Sequence, residues 1–113
     1  LALADNVAAS AMKKMAFLTS RMGSITQASP GTYAYRMSKA ALNMGVTLLS
    51  KDLAPKGIAC AVFHPGWVRT DMGGPGAAVS VEDSVAGLRR GIAGISRGET
   101  VPFLTYDGEA LPW

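Results

Sequence analysis

Short apolar runs alternate with longer stretches of helical spacing along this sequence. In residues 1–12, apolar side chains recur on one helix face from Leu3 to Met12, which predicts the end of a helix. Residues 15–20 form an apolar run and predict a strand. Residues 32–53 predict the longest helix, and we expect it to be largely buried because it is apolar around much of its circumference. Its apolar positions are Met37, Ala41, Met44 and Leu48 on one stripe and Leu42, Val46, Leu49 and Leu53 on another.

The second half of the chain continues the alternation. Residues 58–63 are continuously apolar between turn residues, which is typical of a strand buried on both faces of a parallel sheet. Residues 64–79 contain four glycines and two prolines, so we expect a long loop that is functional or mobile. Residues 80–83, with the sequence Ser-Val-Glu-Asp, predict the start of a third helix that ends at Gly98. Residues 101–105 predict a short strand at an edge, because a proline lies within them.

The order of elements predicts an α/β fold. Helices that alternate with strands favour a parallel sheet joined by right-handed crossovers, with the helices on its faces in three layers. Ligands bind such sheets at the carboxyl ends of the strands. Ser20 follows the first strand, the His64-Pro65-Gly66 sequence follows the second, and Tyr35 begins the long helix. We therefore expect these residues to meet on one side of the sheet.

Composition narrows the classes of protein. The 113 residues are enough for one domain, residues 1–113, and 49% hydrophobic with 17% charged residues indicates a globular chain. The net charge of +3 comes from scattered basic residues, which argues against a nucleic-acid partner. No apolar stretch reaches the ~20 residues that span a bilayer, and no signal peptide is visible. We expect a cytoplasmic protein without a membrane partner, and Cys60, the single cysteine, predicts a buried core thiol.

Tyr35 and Lys39 carry the candidate chemistry. A spacing of four places their side chains on one helix face, one turn apart. A tyrosine phenol has an ordinary pKa near 10, and a neighbouring cation stabilises the phenolate. Ser20 offers a hydroxyl to hold a substrate oxygen against the phenol. This set suits proton transfer to a carbonyl or from an alcohol.

Simpler interpretations exist for each of these residues. A tyrosine and a lysine four apart occur by chance on many helices, and Pro65-Gly66 alone is a turn. His64 at a strand end is better explained by a structural role than by catalysis. The combination, in this order and on these elements, is far more specific than any single residue. No metal-binding pattern is evident.

Three stretches resemble the short-chain dehydrogenase/reductase family. They are Ser20-Arg-Met-Gly23, Tyr35-Arg-Met-Ser-Lys39-Ala-Ala-Leu-Asn43 and Pro65-Gly66-Trp-Val-Arg-Thr70-Asp71, and the ending from Phe103 to Trp113 is similar as well. Within the family, the chain is similar to the carboxyl-terminal half of the Sniffer-type carbonyl reductases and the C-factor-like group. The resemblance covers nearly the whole sequence and implies a Rossmann-like fold of which only this half is present.

The resemblance also implies roles and partners. Ser20 would polarise a substrate carbonyl, Tyr35 would be the acid/base, and Lys39 would assist the phenol and bind the nicotinamide ribose of NADP or NAD. The segment from Pro65 to Thr70, including Gly66 and Val68, would contact the nicotinamide. The substrate would be a small carbonyl compound or alcohol.

The family's glycine-rich dinucleotide loop has no counterpart in these residues. We therefore expect the chain to be a carboxyl-terminal portion of a longer reductase, with its first strand lacking a neighbour. An unpaired apolar edge strand favours self-association, so the chain by itself should be a homo-oligomer or poorly stable. A second hypothesis is a non-catalytic interaction or signalling module derived from a reductase. A nucleotide-sugar epimerase, which shares Tyr-x-x-x-Lys, fits the Pro65–Thr70 segment less well.

Overall fold

The computed structural model describes residues 2–98 and 100–113. Three helices and three strands alternate, as the sequence predicts. They are α1 (Ala4–Ala9), β1 (Lys14–Leu18), α2 (Tyr33–Leu53), β2 (Ala59–His64), α3 (Val81–Ala93) and β3 (Phe103–Thr105), with short 3-10 helices at Arg21–Gly23 and Ala54–Lys56.

The three strands form one parallel sheet in the order β1-β2-β3. Val62 of β2 lies between Phe17 of β1 and Phe103 of β3 in the register. β2 is the centre of the core, and five of its six residues are buried. Its side chains alternate between the two faces of the sheet. This confirms the prediction that residues 58–63 contain a strand buried on both faces of a parallel sheet.

The helices pack on opposite faces of the sheet. Val62 belongs to a cluster with Val46 of α2, whereas Phe63 belongs to a second cluster against Leu88 of α3. The architecture is therefore the predicted three-layer α/β arrangement. Cys60 is buried in the α2 cluster, and burial raises the pKa of its thiol.

The structure corrects three expectations. The first helix ends at Ala9, so Leu3 and Met12 lie outside it and are exposed. The third helix ends at Ala93, with Gly94 as its cap, and not at Gly98. The backbone becomes extended at Ser10, directly after α1. After α3 the Gly94 N–H closes the last turn by donating to the Arg90 and Gly91 carbonyls, both at 3.1 Å.

The third correction concerns α2, which is not largely buried. The stripe of Leu42, Val46, Leu49 and Leu53 packs towards the sheet. The other stripe is exposed, with Met37 at 68% and Met44 at 61% of full exposure. An apolar stripe indicates that a helix face is suited to packing. The described residues pack against only one of the two stripes of α2. No helix in the part of the chain that the structure describes is long and apolar enough to cross a membrane.

Candidate functional site

The first two turns of α2 hold the tyrosine and the lysine of the predicted site. Tyr35 is the third residue of the helix, and Lys39 follows one turn later. The Lys39 Nζ lies 5.5 Å from the centroid of the Tyr35 ring. At this distance a cation interacts favourably with an aromatic face. Tyr35 is 42% exposed and so is accessible to a ligand.

A cavity of about 480 Å³ opens beside this turn. It brings Tyr35 and Lys39 together with the predicted loop residues Pro65, Gly66, Val68 and Thr70. The walls are mostly apolar and include Leu18, Trp67, Met72, Val81, Val85 and Leu88. Six of the seven predicted site residues therefore meet on one cavity, at the carboxyl ends of β1 and β2. A few polar groups in an apolar concavity are typical of small-molecule sites.

Ser20 is the predicted residue that is not among those lining this cavity. It is 6% exposed and caps the 3-10 helix that follows, because its Oγ accepts a hydrogen bond of 3.1 Å from the Met22 N–H. The preceding residue, Thr19, lines the cavity instead. Ser20 therefore lies next to the site, with its hydroxyl oxygen engaged by the backbone.

Thr19 and Asn43 were not predicted as site residues, yet they fix its geometry. The Thr19 Oγ1 donates a buried hydrogen bond of 2.6 Å to the Asn43 Oδ1. Asn43 lies one turn after Lys39, so this bond joins the residue that follows β1 to α2 about two turns beyond Tyr35. A polar residue one turn beyond the lysine on an apolar helix was the signal available in the sequence. The Asn43 Nδ2 is buried and has no hydrogen-bond partner among residues 2–98 and 100–113.

The loop after β2 is long but is held by its own hydrogen bonds. The Arg69 N–H donates to the Val79 carbonyl at 2.8 Å, and the Val79 N–H donates to the Trp67 carbonyl at 3.0 Å. The Trp67 Nε1–H donates to the Gly73 carbonyl at 3.0 Å. Gly66 begins the loop with φ of +87°, a conformation that favours glycine. The loop therefore presents Pro65–Thr70 to the cavity in a defined shape.

His64 is the last residue of β2 and is not among the residues that line the cavity. Its pKa is lowered by burial, and the positive charge of Arg21 lowers it further, against an opposing effect of the Asp107 carboxylate. Its Nδ1 is buried without a hydrogen-bond partner in the described part of the chain. A neutral imidazole fits this position. No group of three His, Cys, Asp or Glu side chains in the described ranges is arranged to hold a metal ion.

A second cavity, of about 330 Å³, lies between α2 and the chain end and includes Met44 and Trp113 in its lining. Its lining contains neither Tyr35 nor Lys39. We place the candidate site in the first cavity, because the polar groups with plausible chemistry converge there.

Comparisons of the sequence with known proteins all point to one protein family. The family model described as short chain dehydrogenase matches residues 6–78. The chain is 49% identical over 104 residues to the C-signal protein of Myxococcus xanthus, covering 91% of this chain and 63% of that protein.

Solved structures agree with the sequence comparison. The chain resembles the carbonyl reductase Sniffer of D. melanogaster with a TM-score of 0.82 and 40% identity, over 88% of this chain and 41% of that one. It resembles an NADPH-bound carbonyl reductase from chicken fatty liver with a TM-score of 0.79 and 34% identity, over 88% and 42% of the two chains. The sequence thus spans less than two thirds of each of these proteins.

Proposed function

This chain belongs to the short-chain dehydrogenase family, and we propose that it is the acid/base part of an NAD(P)-dependent oxidoreductase. The reaction is the reduction of a small carbonyl compound or the oxidation of an alcohol. The observation that carries the proposal is the convergence of Tyr35 and Lys39 with the Pro65–Thr70 loop on one cavity. The similarity to carbonyl reductases supports the same class of reaction.

Tyr35 is the proposed acid/base. In the reductive direction its phenol gives a proton to the carbonyl oxygen, and in the oxidative direction its phenolate takes one from the alcohol. The Lys39 ammonium group, 5.5 Å from the ring centroid, is assigned the role of assisting the phenol with its positive charge. Ser20 lies next to the cavity, and we assign its hydroxyl hydrogen to the substrate oxygen, because its Oγ accepts from the Met22 N–H and the hydrogen is left to donate.

The residues around the cavity fit one end of a nicotinamide cofactor, NADP or NAD, which supplies or accepts the hydride when it is bound. We assign Lys39 and Tyr35 to the ribose and Pro65, Gly66, Val68 and Thr70 to the nicotinamide. Gly66 supports this assignment, because it lines the cavity and its φ of +87°, which favours glycine, turns the chain into the loop. The sequence has no Gly-x-x-x-Gly-x-Gly to hold the phosphates of a dinucleotide. The proposed domain, residues 1–113, is therefore the carboxyl-terminal part of a larger Rossmann-like unit.

The test is a single substitution in the full protein that contains these residues. Tyr35→Phe removes only the phenolic oxygen, and we expect it to lower kcat by at least about 10²-fold, as expected for loss of a general acid. Tyr33→Phe is the matched control, because Tyr33 begins the same helix and is 76% exposed. NADPH and NADH oxidation with a panel of small aldehydes and ketones is the measurement. Activity retained in Tyr35→Phe would disprove the assignment.

A signalling or interaction module without catalysis is the second candidate. The 49% identity to the C-signal protein favours it, since the name of that relative denotes a signal. Calorimetric titration of the 113-residue chain with NADPH separates the two candidates. Micromolar binding that is weakened by Lys39→Ala argues for the oxidoreductase, and no binding by either the chain or the full protein argues for the module.

A further inference from the structure

Ser84 of α3 contacts the first residue of the loop that follows β2. Ser84 is 3% exposed, and its Oγ donates a hydrogen bond of 2.6 Å to the Pro65 carbonyl. Among the described residues no other donor reaches that carbonyl. One hydroxyl on α3 therefore holds the backbone at the point where the chain leaves β2.

Tyr106 holds the same turn from the other side. A side chain at Gly66 would place its Cβ 3.0 Å from the Tyr106 Cε1, so the aromatic ring packs on the Gly66 backbone. A Cβ at Gly87 of α3 would lie 2.2 Å from the Tyr106 carbonyl oxygen. Tyr106 is thus in close contact with both the loop and the helix.

The turn that carries Tyr106 is itself well fixed. Thr105 is 3% exposed; its N–H donates to the Glu109 carbonyl at 2.8 Å, and its Oγ1 accepts from the Glu109 N–H at 3.0 Å. The Gly108 N–H donates to the Thr105 carbonyl at 3.0 Å. Tyr106 consequently has little freedom to move away from Gly66.

Ser84 lies on the same face of α3 that lines the candidate cavity, together with Val81 and Val85. Val81 and Val85 line the cavity and are 42% and 48% exposed. α3 therefore contacts the turn that starts the proposed nicotinamide loop and also supplies part of the apolar wall of the cavity that contains Tyr35. Their relative position depends on how α3 is attached to the turn.

We propose that Ser84 and Tyr106 are positioning residues that set the place of the Pro65–Gly66 turn relative to Tyr35. The part that concerns the cofactor rests on the proposed function. Neither residue needs to touch the reacting atoms. Their action is through the Pro65 carbonyl and the Gly66 backbone, which would otherwise move independently of α3.

The experiment compares four variants of the full protein. Ser84→Ala removes the hydroxyl, and Ser50→Ala is its control, because the Ser50 hydroxyl bonds within α2 to the Thr47 carbonyl at 2.9 Å. Tyr106→Ala removes the ring from Gly66, and Tyr106→Phe is its control, since it keeps the ring. Each variant is measured by hydrogen exchange and by steady-state kinetics.

Hydrogen exchange of the Arg69 and Val79 amides reports the loop directly, because both donate to backbone carbonyls within it. We expect exchange there to rise about three- to tenfold in Ser84→Ala and Tyr106→Ala, the change expected for a lost hydrogen bond or contact. The two controls should match the wild type. The cofactor KM should rise by a similar factor while kcat changes less.

The outcomes are separable. Unchanged exchange in Ser84→Ala and Tyr106→Ala overturns the proposal whatever the activity. Raised exchange with an unchanged cofactor KM also overturns it, since the turn would then be held without consequence for binding. A wild-type protein without nicotinamide turnover overturns the proposed function alone, and exchange then decides whether these residues fix the turn.

Discussion

Phe17 and Phe103 occupy equivalent places on the two edge strands, and their surroundings differ. Both flank Val62 at the same level of the sheet. Phe103 of β3 is 2% exposed and packs near the Trp113 ring at 5.4 Å between centroids, whereas Phe17 of β1 is only partly buried. The chain closes the β3 edge with its own last residues, which return as an antiparallel bridge between Leu104 and Ala110. The β1 edge has no such closure among the described residues.

The uncovered edge of the sheet, formed by β1, lies next to the candidate site. Leu18, at the end of β1, is 56% exposed and lines the candidate cavity. The chain spans 41% of the Sniffer structure that it resembles. The polar groups of the site are therefore assembled within these residues, although one strand that supports them is exposed on its outer side.

The largest expected effect comes from the same truncation on each edge strand. Phe103→Ala should lower the free energy of unfolding by about 3–5 kcal/mol, because it removes a fully buried ring. Phe17→Ala should cost about half as much, because part of the ring already contacts solvent. Urea unfolding of the 113-residue chain is the measurement. Equal losses would show that the two edges are equivalent in solution.

The sequence predicted β2 and the Tyr35–Lys39 pair because their signals are local. Continuous apolar residues mark a central strand, and a spacing of four defines a helix face without reference to the rest of the fold. The meeting of the Tyr35 turn with the loop after β2 was predicted from the topology, but individual hydrogen bonds between distant segments were not. The Ser84–Pro65 and Thr19–Asn43 hydrogen bonds join different elements, and nothing in the spacing of a serine or a threonine identifies its acceptor.

The exposed stripe of α2 shows that apolar spacing alone does not predict burial. Met37, Met44 and Leu48 have the pattern of buried residues, and we expected them to be buried. Hydrophobic spacing reveals that a face is suited to packing, whereas burial also requires a second surface. The described residues provide that surface only for the stripe that faces the sheet.

A smaller effect is expected from placing a charge on each edge. We predict that the 113-residue chain associates in solution through β1, because an unpaired strand offers free backbone groups. Ala16→Lys on β1 should weaken association about tenfold, since charged residues on an edge oppose strand pairing. Ala110→Lys on the closed side is the matched control and should have no effect. Sedimentation velocity over a concentration series measures both, and a monodisperse wild-type monomer would contradict the prediction.

The smallest effect concerns the interior of the closed side, where His64 pairs with Thr105. Burial and then the charge of Arg21 hold the pKa of His64 below its ordinary value of 6.5, so the unfolded chain binds a proton more readily than the folded one. Stability should therefore be full above about pH 6.5 and fall as the pH drops below it, by at most about 1.4 kcal/mol per pH unit because one proton is involved.

Two carboxyl groups also have a lowered pKa, but they act in a more acidic window. The pKa of Asp5 is held below its ordinary value of 3.8 by Lys56, and that of Asp107 by its hydrogen bond from Thr105. Their contributions are lost only as the pH falls below about 4. Urea midpoints between pH 7.5 and 5 therefore isolate His64. In a His64→Asn variant the side chain at position 64 does not titrate, so the stability of this variant should change less between pH 7.5 and 5 than that of the wild type. If the stability of His64→Asn fell as steeply with pH as that of the wild type, another group would be responsible for the pH dependence, and the prediction for His64 would be wrong.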